Sequence, residues 1–280
     1  MTKCPLCSSD TFSYLAERPD YEYGLSTKLS YRRCGLCRLV FAHPMPSPDL
    51  VLSFYGSYST HGKRRSSLLG EMARRKTLRE TMAAIGPRTQ LRVLDYGCGN
   101  GAFLTDLQGA GYKNVIGYDF DPLAVKAART VGISAEYDWD KVTGLFDIIL
   151  LNHVIEHLSD PRSQLRLLSS RLHSGGLIVI RTPNNDSLMA SLCQSEWRGW
   201  ETPRHLNIMN KHSLSLVVLQ SDLSIVRCFN SKSMFFGMFH GSLKRPWWGS
   251  PLGKILRHGL AFVCYPWGAG EETVAIARKP

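Results

Sequence analysis

Long apolar runs are missing from this chain. The longest, such as Phe146 to Leu151 and Leu177 to Ile180, fall well short of the ~18–20 residues that span a bilayer, so no transmembrane helix is expected. Acidic residues are scarce beside basic ones, 23 Asp and Glu against 34 Lys and Arg, for a net charge of +11 and a pI near 9.4. That imbalance asks for an anionic partner: nucleic acid, a phosphorylated small molecule or an anionic membrane surface. Neither glycine (24 residues) nor proline (14) is in excess, and 44% of residues are hydrophobic, so a collagenous, low-complexity or largely disordered protein is excluded. There is no internal repeat. The N-terminus, Met1-Thr2-Lys3-Cys4-Pro5-Leu6-Cys7, has neither the apolar stretch nor the small-residue cleavage site of a secretory signal, so residence in the cytosol is expected. At 280 residues, one main domain with an appendage is the expectation.

In a reducing compartment the eight cysteines do not read as a disulfide framework. Four of them form two C-x2-C pairs, Cys4 with Cys7 and Cys34 with Cys37, separated by 26 residues. Each pair makes a tight knuckle, and four thiolates converging in tetrahedral array favour zinc. Four cysteines close the coordination shell, so the metal is expected to be structural. The alternating residues Tyr21, Tyr23, Leu25 and Leu29, Tyr31, Arg33 between the pairs read as short strands. The first 45 residues are thus a zinc ribbon, closed by the breaker His43-Pro44-Met45-Pro46-Ser47-Pro48. So small a module has little core of its own, and the metal is expected to supply most of its folding energy.

Residues 46–88 read as a basic helical connector. Between Lys63 and Arg92 nine Lys or Arg face only Glu71 and Glu80, and apolar residues at 68, 69, 72, 73, 78, 82 and 85 give helical spacing over Ser66 to Ile85, ended by Gly86-Pro87. From residue 89 onward strand-like segments (Leu91 to Tyr96, Val115 to Asp119, Ile133 to Tyr137, Phe146 to Leu151, Leu177 to Ile180) alternate with helical ones (Phe103 to Gly109, Pro122 to Val131, Pro161 to Leu172). Such alternation specifies a doubly wound, mostly parallel α/β sheet. Leu223 to Phe229 and Glu272 to Arg278 would bring it to seven strands.

In Val93-Leu94-Asp95-Tyr96-Gly97-Cys98-Gly99-Asn100-Gly101, three glycines stand where a strand exits into a helix. Glycine there lets backbone pass close under a nucleoside-bearing ligand. The spacing is G-x-G-x-G, not the G-x-G-x-x-G of dinucleotide binders. Asp119 ends the next strand, 22 positions after Gly97, where a carboxylate can accept both hydroxyls of a ribose.

These stretches, VLDYGCGNG, GYDFD, and FDIILLNHVIEHL followed by GGLIVIRTPN, resemble in that order the class I S-adenosylmethionine-dependent methyltransferases, over roughly Leu91 to Pro280. The resemblance implies a seven-stranded methyltransferase domain binding S-adenosylmethionine. Asp95 with Gly97, Gly99 and Gly101 would hold the methionine end, Asp119 the ribose, and Asp138 with Trp139 the adenine edge and face. Asn152 and His153 would border the methionine portion. Cys34 to Pro46 with Phe54, Tyr55 and Tyr58 resembles the zinc-ribbon segment that precedes methyltransferases acting on sugars, glycolipids and small metabolites, and Trp200 to Asn207 resembles their substrate-side segment. The sugar C-methyltransferases of that kind are longer than this chain.

A sulfonium methyl is already activated, so the enzyme must align an acceptor and remove its proton. His153, Glu156 and His157 fall on one face at i, i+3 and i+4, just past a strand end, and His205 follows Pro203-Arg204 in a loop. The expectation is His205 as general base, with His157 and Glu156 positioning the acceptor. His153 to His157 also spells the H-x-x-E-H of certain zinc peptidases, a reading that the surrounding cofactor motifs disfavour. The aromatic insertion at about 233–269, with Phe235, Phe236, Phe239, Trp247, Trp248, Phe262, Tyr265 and Trp267, reads as a cap that is packed into the core, covers the acceptor or rests on a membrane interface.

The expected activity is methyl transfer to oxygen, and in second place carbon, of a sugar, a glycolipid or lipid-linked glycan, or a small metabolite. Peripheral contact with the inner membrane face is compatible with it. The first rival is an RNA methyltransferase whose ribbon and basic helix grip phosphates. A second is a non-catalytic cofactor-binding scaffold.

Overall fold

The structure is a computed structural model that describes residues 3–18, 27–55, 68–87, 90–242, 250–265 and 270–280. The expectations that rest on Tyr21, Tyr23, Leu25, Tyr58, Lys63, Arg64, Arg65, Arg88, Trp247, Trp248 and Trp267 lie outside the described residues.

The chain opens with strands β1 (Phe12–Arg18), β2 (Leu29–Cys34) and β3 (Val40–Ala42). Helix α1 (Pro48–Ser53) follows, started by Ser47 as N-cap, and then the longer α2 (Leu68–Ile85). The methyltransferase-like alternation comes next: β4 (Val93–Tyr96), α3 (Ala102–Gly109), β5 (Val115–Tyr118), α4 (Pro122–Thr130), β6 (Ser134–Glu136), β7 (Phe146–Asn152), α5 (Pro161–Ser170) and β8 (Leu172–Pro183). Helices α4 and α5 share one start signal, an aspartate N-cap (Asp121, Asp160) whose carboxylate accepts a backbone N–H, followed by a proline that needs no partner for its own nitrogen. The chain ends with α6 (Leu188–Cys193), β9 (Asn207–Ile208), α7 (Lys211–Leu219), β10 (Ser224–Ser231), α8 (Phe235–Ser242), α9 (Pro251–Cys264) and β11 (Glu272–Arg278).

Seven strands form one sheet in the order β10-β11-β8-β7-β4-β5-β6. The run β8-β7-β4-β5-β6 is parallel, and β11 enters antiparallel to both of its neighbours. Alternate residues of the central strands serve opposite faces, as the pleat requires. Leu94, Ile149, Leu151, Ile178 and Ile180 face Leu165 of α5 and Leu214 and Val217 of α7. Val93, Ile148, Leu150 and Val179 face Leu104 of α3 and Val125 of α4, with Leu78 and Met82 of α2 on the same side. Helices therefore cover both faces, the doubly wound arrangement that the sequence implies. The helix expected over Pro161 to Leu172 stops at Ser170, because Leu172 begins β8 opposite Phe146.

The ribbon is joined to this domain more tightly than an appendage. Its three strands continue into β9, with Val40 paired to Ile208 and Phe41 to Asn207. Cys4, Leu6, Leu39 and Phe41 also share one apolar cluster with Leu94, Met209 and Leu214. Burial against the main domain thus adds to whatever metal supplies. Part of the aromatic insertion packs inward as well: Phe235, Phe239 and Ala261 cluster with Tyr31, Trp197 and Ile208, whereas Phe262 of α9 is 56% exposed. No helix among the described residues is long and apolar enough to cross a membrane.

Candidate active site and metal centre

The site begins at the carboxyl end of β4. Gly97 has φ +85°, a left-handed value that costs an L side chain about 1–2 kcal/mol, and a Cβ there would overlap the Val154 side chain. Gly101, at φ +76°, is the N-cap residue of α3, and a Cβ there would lie 3.0 Å from that of Ala128. Between them the Gly99 amide donates to Asp119 Oδ2 at 2.8 Å, while the Asp121 amide donates to Oδ1 at 3.0 Å. Asp119 therefore ties the glycine loop to the end of β5.

Beneath the loop, Asp95 is buried and accepts from Asn152 Nδ2 at 3.3 Å. Burial, with the Asp119 charge adding to it and the Asn152 bond opposing it, pushes its carboxyl up to about 7. Tyr96 and Tyr118 are register partners on β4 and β5, so their rings stack 4.8 Å apart. These segments, together with Tyr55, Phe120, His153 and His157, enclose a hollow of about 380 Å3.

His153 sits at φ +56°, past the end of β7. Its Nε2 donates to Glu272 Oε1 at 2.7 Å and its Nδ1 lies 3.4 Å from Glu156 Oε1. Burial alone would favour the neutral ring, but the two carboxylates outweigh it and raise the pKa to about 10. His153 is thus an imidazolium held between two anions. Glu156 is fully buried and accepts from Thr182 Oγ1 at 2.9 Å. Burial works against its charge, yet His153, His157 and His205 hold its pKa down at about 2.

His157 and His205 meet edge to face, ring centres 4.7 Å apart. Each spends Nδ1 on a backbone carbonyl, His157 on Arg204 at 3.0 Å and His205 on Gly199 at 2.8 Å, so the neutral tautomer carries its lone pair on Nε2. They differ in access. His157 lines the hollow, whereas His205 is 4% exposed and is not among the lining side chains described. Burial lowers the His205 pKa to about 4 despite Glu201 and Glu156 nearby. Ligand atoms of Glu156, His157 and His205 lie within 4.8 Å of one another, close enough to share one ion.

Of the residues singled out from the sequence, Gly97, Gly99, Asp119, Asn152, His153 and His157 line the hollow, with Asp95, Glu156 and His205 behind them. Asp138 and Trp139 are not among the described lining residues. Asp138 accepts from the Asp140 amide at 3.1 Å, starting a 3-10 turn, and Trp139 packs edge-on against Tyr96 and Tyr118. Sequence reasoning gave no role to the stacked pair of Tyr96 and Tyr118 or to Phe120. The signal was present: Tyr96 and Tyr118 are neighbours of motif residues on paired parallel strands, and Phe120 follows Asp119 directly.

The four paired cysteines form the second centre. Cys4 and Cys37 sulfurs lie 3.6 Å apart, Cys7 and Cys34 sulfurs 3.5 Å, and all four fall within 4.8 Å of one another. Tetrahedral zinc with ~2.3 Å Zn–S bonds has sulfurs ~3.8 Å apart, so the set fits that ion.

Comparison with known proteins bears on the family and the fold. A family of methyltransferase domains matches residues 69–227, more than half of the chain. Among curated proteins, the ubiquinone biosynthesis O-methyltransferase of Cereibacter sphaeroides is 31% identical over 123 residues, covering 40% of this chain and 49% of that one. That of Colwellia psychrerythraea is 30% identical over 105 residues, covering 34% and 42%. These alignments span about half the length or less of the curated relatives. Among solved structures, magnesium protoporphyrin IX methyltransferase from Synechocystis, with bound S-adenosylhomocysteine, aligns with a TM-score of 0.55 at 14% identity, over 84% of this chain and 100% of that one. The [4+2]-cyclase SpnF aligns at 0.51 and 17%, over 77% and 84%. Likeness at such identity shows the fold alone.

Proposed function

The chain belongs to the class I S-adenosylmethionine-dependent methyltransferases, and from that premise we propose that it methylates a hydroxyl oxygen of a small acceptor, with His157 as general base. When bound, S-adenosylmethionine supplies a methyl group already activated on a sulfonium. Asp119, which lines the hollow at the end of β5, accepts the ribose hydroxyls. The side-chain-free Gly97 and Gly99 and the Asp95–Asn152 pair hold the methionine end. Tyr118 and Phe120 offer aromatic walls near Asp119 for the adenine.

One observation carries the acceptor chemistry: on the wall of the hollow His157 has Nδ1 engaged by the Arg204 carbonyl, which leaves Nε2 free to take a proton. The expectation from sequence gave this task to His205. Its burial behind His157 supports a positioning role instead, shared with the buried Glu156. His153 is already protonated and does not serve as base. Its relatives' names support a hydroxyl acceptor, and sugar or lipid-linked glycan hydroxyls satisfy the same chemistry.

The RNA reading draws less support. In α2, Arg74 pairs with Asp106 at 3.1 Å and Glu80 binds the buried Arg181 at 2.9 Å, so this part of the basic segment is bound to the domain. The ribbon is proposed to hold one structural zinc on Cys4, Cys7, Cys34 and Cys37.

The test is transfer of a labelled methyl group to a panel of phenolic, sugar and lipid-linked hydroxyl compounds. Turnover with one class, reduced at least about 100-fold in His157→Ala, is expected. Full turnover in His157→Ala, or no transfer to any hydroxyl compound, would overturn the proposal.

A further inference from the structure

A second cavity, of about 600 Å3, lies where the ribbon meets the main domain, and it shares no described lining residue with the cofactor hollow. Its described charged residues are Arg18 of β1, Arg33 of β2, Arg38 and Asp186, three cations against one anion. Asp186 is already committed. Its Oδ1 accepts from Arg33 at 3.3 Å and from Arg38 at 2.8 Å, and its Oδ2 accepts from Asn210 Nδ2 at 2.7 Å.

The bland account is that these arginines merely fasten the ribbon to the domain through Asp186. Arg33 and Arg38 fit that account, but Arg18 does not. Arg18 contributes nothing to the Asp186 contact, and its guanidinium lies over the Trp200 ring at 4.9 Å. The Nε atoms of Arg18 and Arg33 are buried with no hydrogen-bond partner. Arg33 is only partly exposed, and collecting guanidinium groups around a cavity with a single carboxylate costs free energy unless an anion arrives. The planar guanidinium fork matches phosphate oxygens, and Trp197 and Trp200 give the cavity a flat apolar wall beside the charges.

We propose that this seam is a binding site for a phosphorylated ligand, its phosphate seated among Arg18, Arg33 and Arg38 and its adjoining part against Trp200. Trp200 also begins the segment that carries Arg204 and His205, so an occupant touches the same stretch of chain as the histidine pair. The phosphate belongs either to a tail of the acceptor or to a separate effector, and both present the same chemistry.

The experiment is calorimetric titration of the full, zinc-loaded chain with inorganic pyrophosphate at low ionic strength. Saturable binding is expected, about ten-fold weaker in Arg18→Gln and in Arg33→Gln. Unaltered affinity for S-adenosylhomocysteine in both variants reports an intact fold. Arg18→Gln is the decisive variant because it leaves the Asp186 contacts whole. Absence of saturable binding to the parent, or parental affinity in Arg18→Gln, overturns the proposal. In methyl-transfer assays, inhibition by pyrophosphate that more acceptor relieves assigns the phosphate to the acceptor, whereas a changed rate at saturating acceptor assigns it to an effector.

Discussion

The amide of Gly99 donates to the Asp119 carboxylate at 2.8 Å, linking the glycine loop after β4 to the end of β5. One side chain therefore shapes the loop and lines the hollow proposed to hold the cofactor. Asp119→Ala loses both the loop contact and the acceptor for the ribose. Affinity for S-adenosylhomocysteine, measured by calorimetry, should fall about ten- to hundred-fold, the weight of one or two charge-assisted hydrogen bonds. Parental affinity in this variant would remove the proposed ribose contact.

Gly97 separates two costs that are usually entangled. Gly97→Ala suffers from its positive φ and from overlap with Val154. The double variant with Val154→Ala relieves only the overlap. Denaturant unfolding should show Gly97→Ala destabilised by about 1–3 kcal/mol, with part of that loss restored in the double variant and about 1 kcal/mol remaining. Complete restoration would mean that backbone conformation contributes nothing here.

Much of this arrangement was legible in the sequence because it rests on local rules. Asp121-Pro122 and Asp160-Pro161 mark helix starts whatever surrounds them, and the apolar runs of β7 and β8 read directly as buried strands. The glycine loop and Asp119 were legible for the same reason, being fixed by strand-to-helix geometry. What sequence could not convey were distances between segments far apart in the chain. His205 and His157 are 48 positions apart, and nothing local says which one stands in front. Likewise β9 is two residues long and exists only because β3 pairs with it, so the merger of ribbon and domain left no periodic trace. The edge-on packing of Trp139 against Tyr96 and Tyr118 also depends on strand register that spacing alone does not supply.

His153 and His205 should titrate stability in opposite directions. The folded-state pKa of His153 is raised, so its contribution is fully present below the unfolded value near 6.5 and is lost as pH rises through about 10. The His205 pKa is lowered, so the folded state resists a proton that the unfolded chain accepts, and stability falls as pH drops from about 6.5 towards 4. Thermal melts across pH should therefore show an acid limb that flattens in His205→Gln and an alkaline limb that flattens in His153→Gln. Both limbs unchanged in both variants would mean that neither ring is perturbed in this way.

The metal centre should reach the active site through the shared sheet. Phe41 of the ribbon pairs with Asn207, two residues beyond His205, and Asn207 Nδ2 donates to the Leu158 carbonyl at 2.7 Å, next to His157. Loosening the ribbon therefore releases one support from each histidine. Elemental analysis should find about one zinc per chain, and Cys37→Ala should lose it and melt several degrees lower. The turnover number should fall in that variant while affinity for S-adenosylhomocysteine changes little, since the glycine loop and Asp119 belong to β4 and β5, which the ribbon sheet does not join. Equal losses of turnover and cofactor affinity would point instead to general unfolding, and zinc-free parent protein with full activity would leave the four thiols without a structural metal.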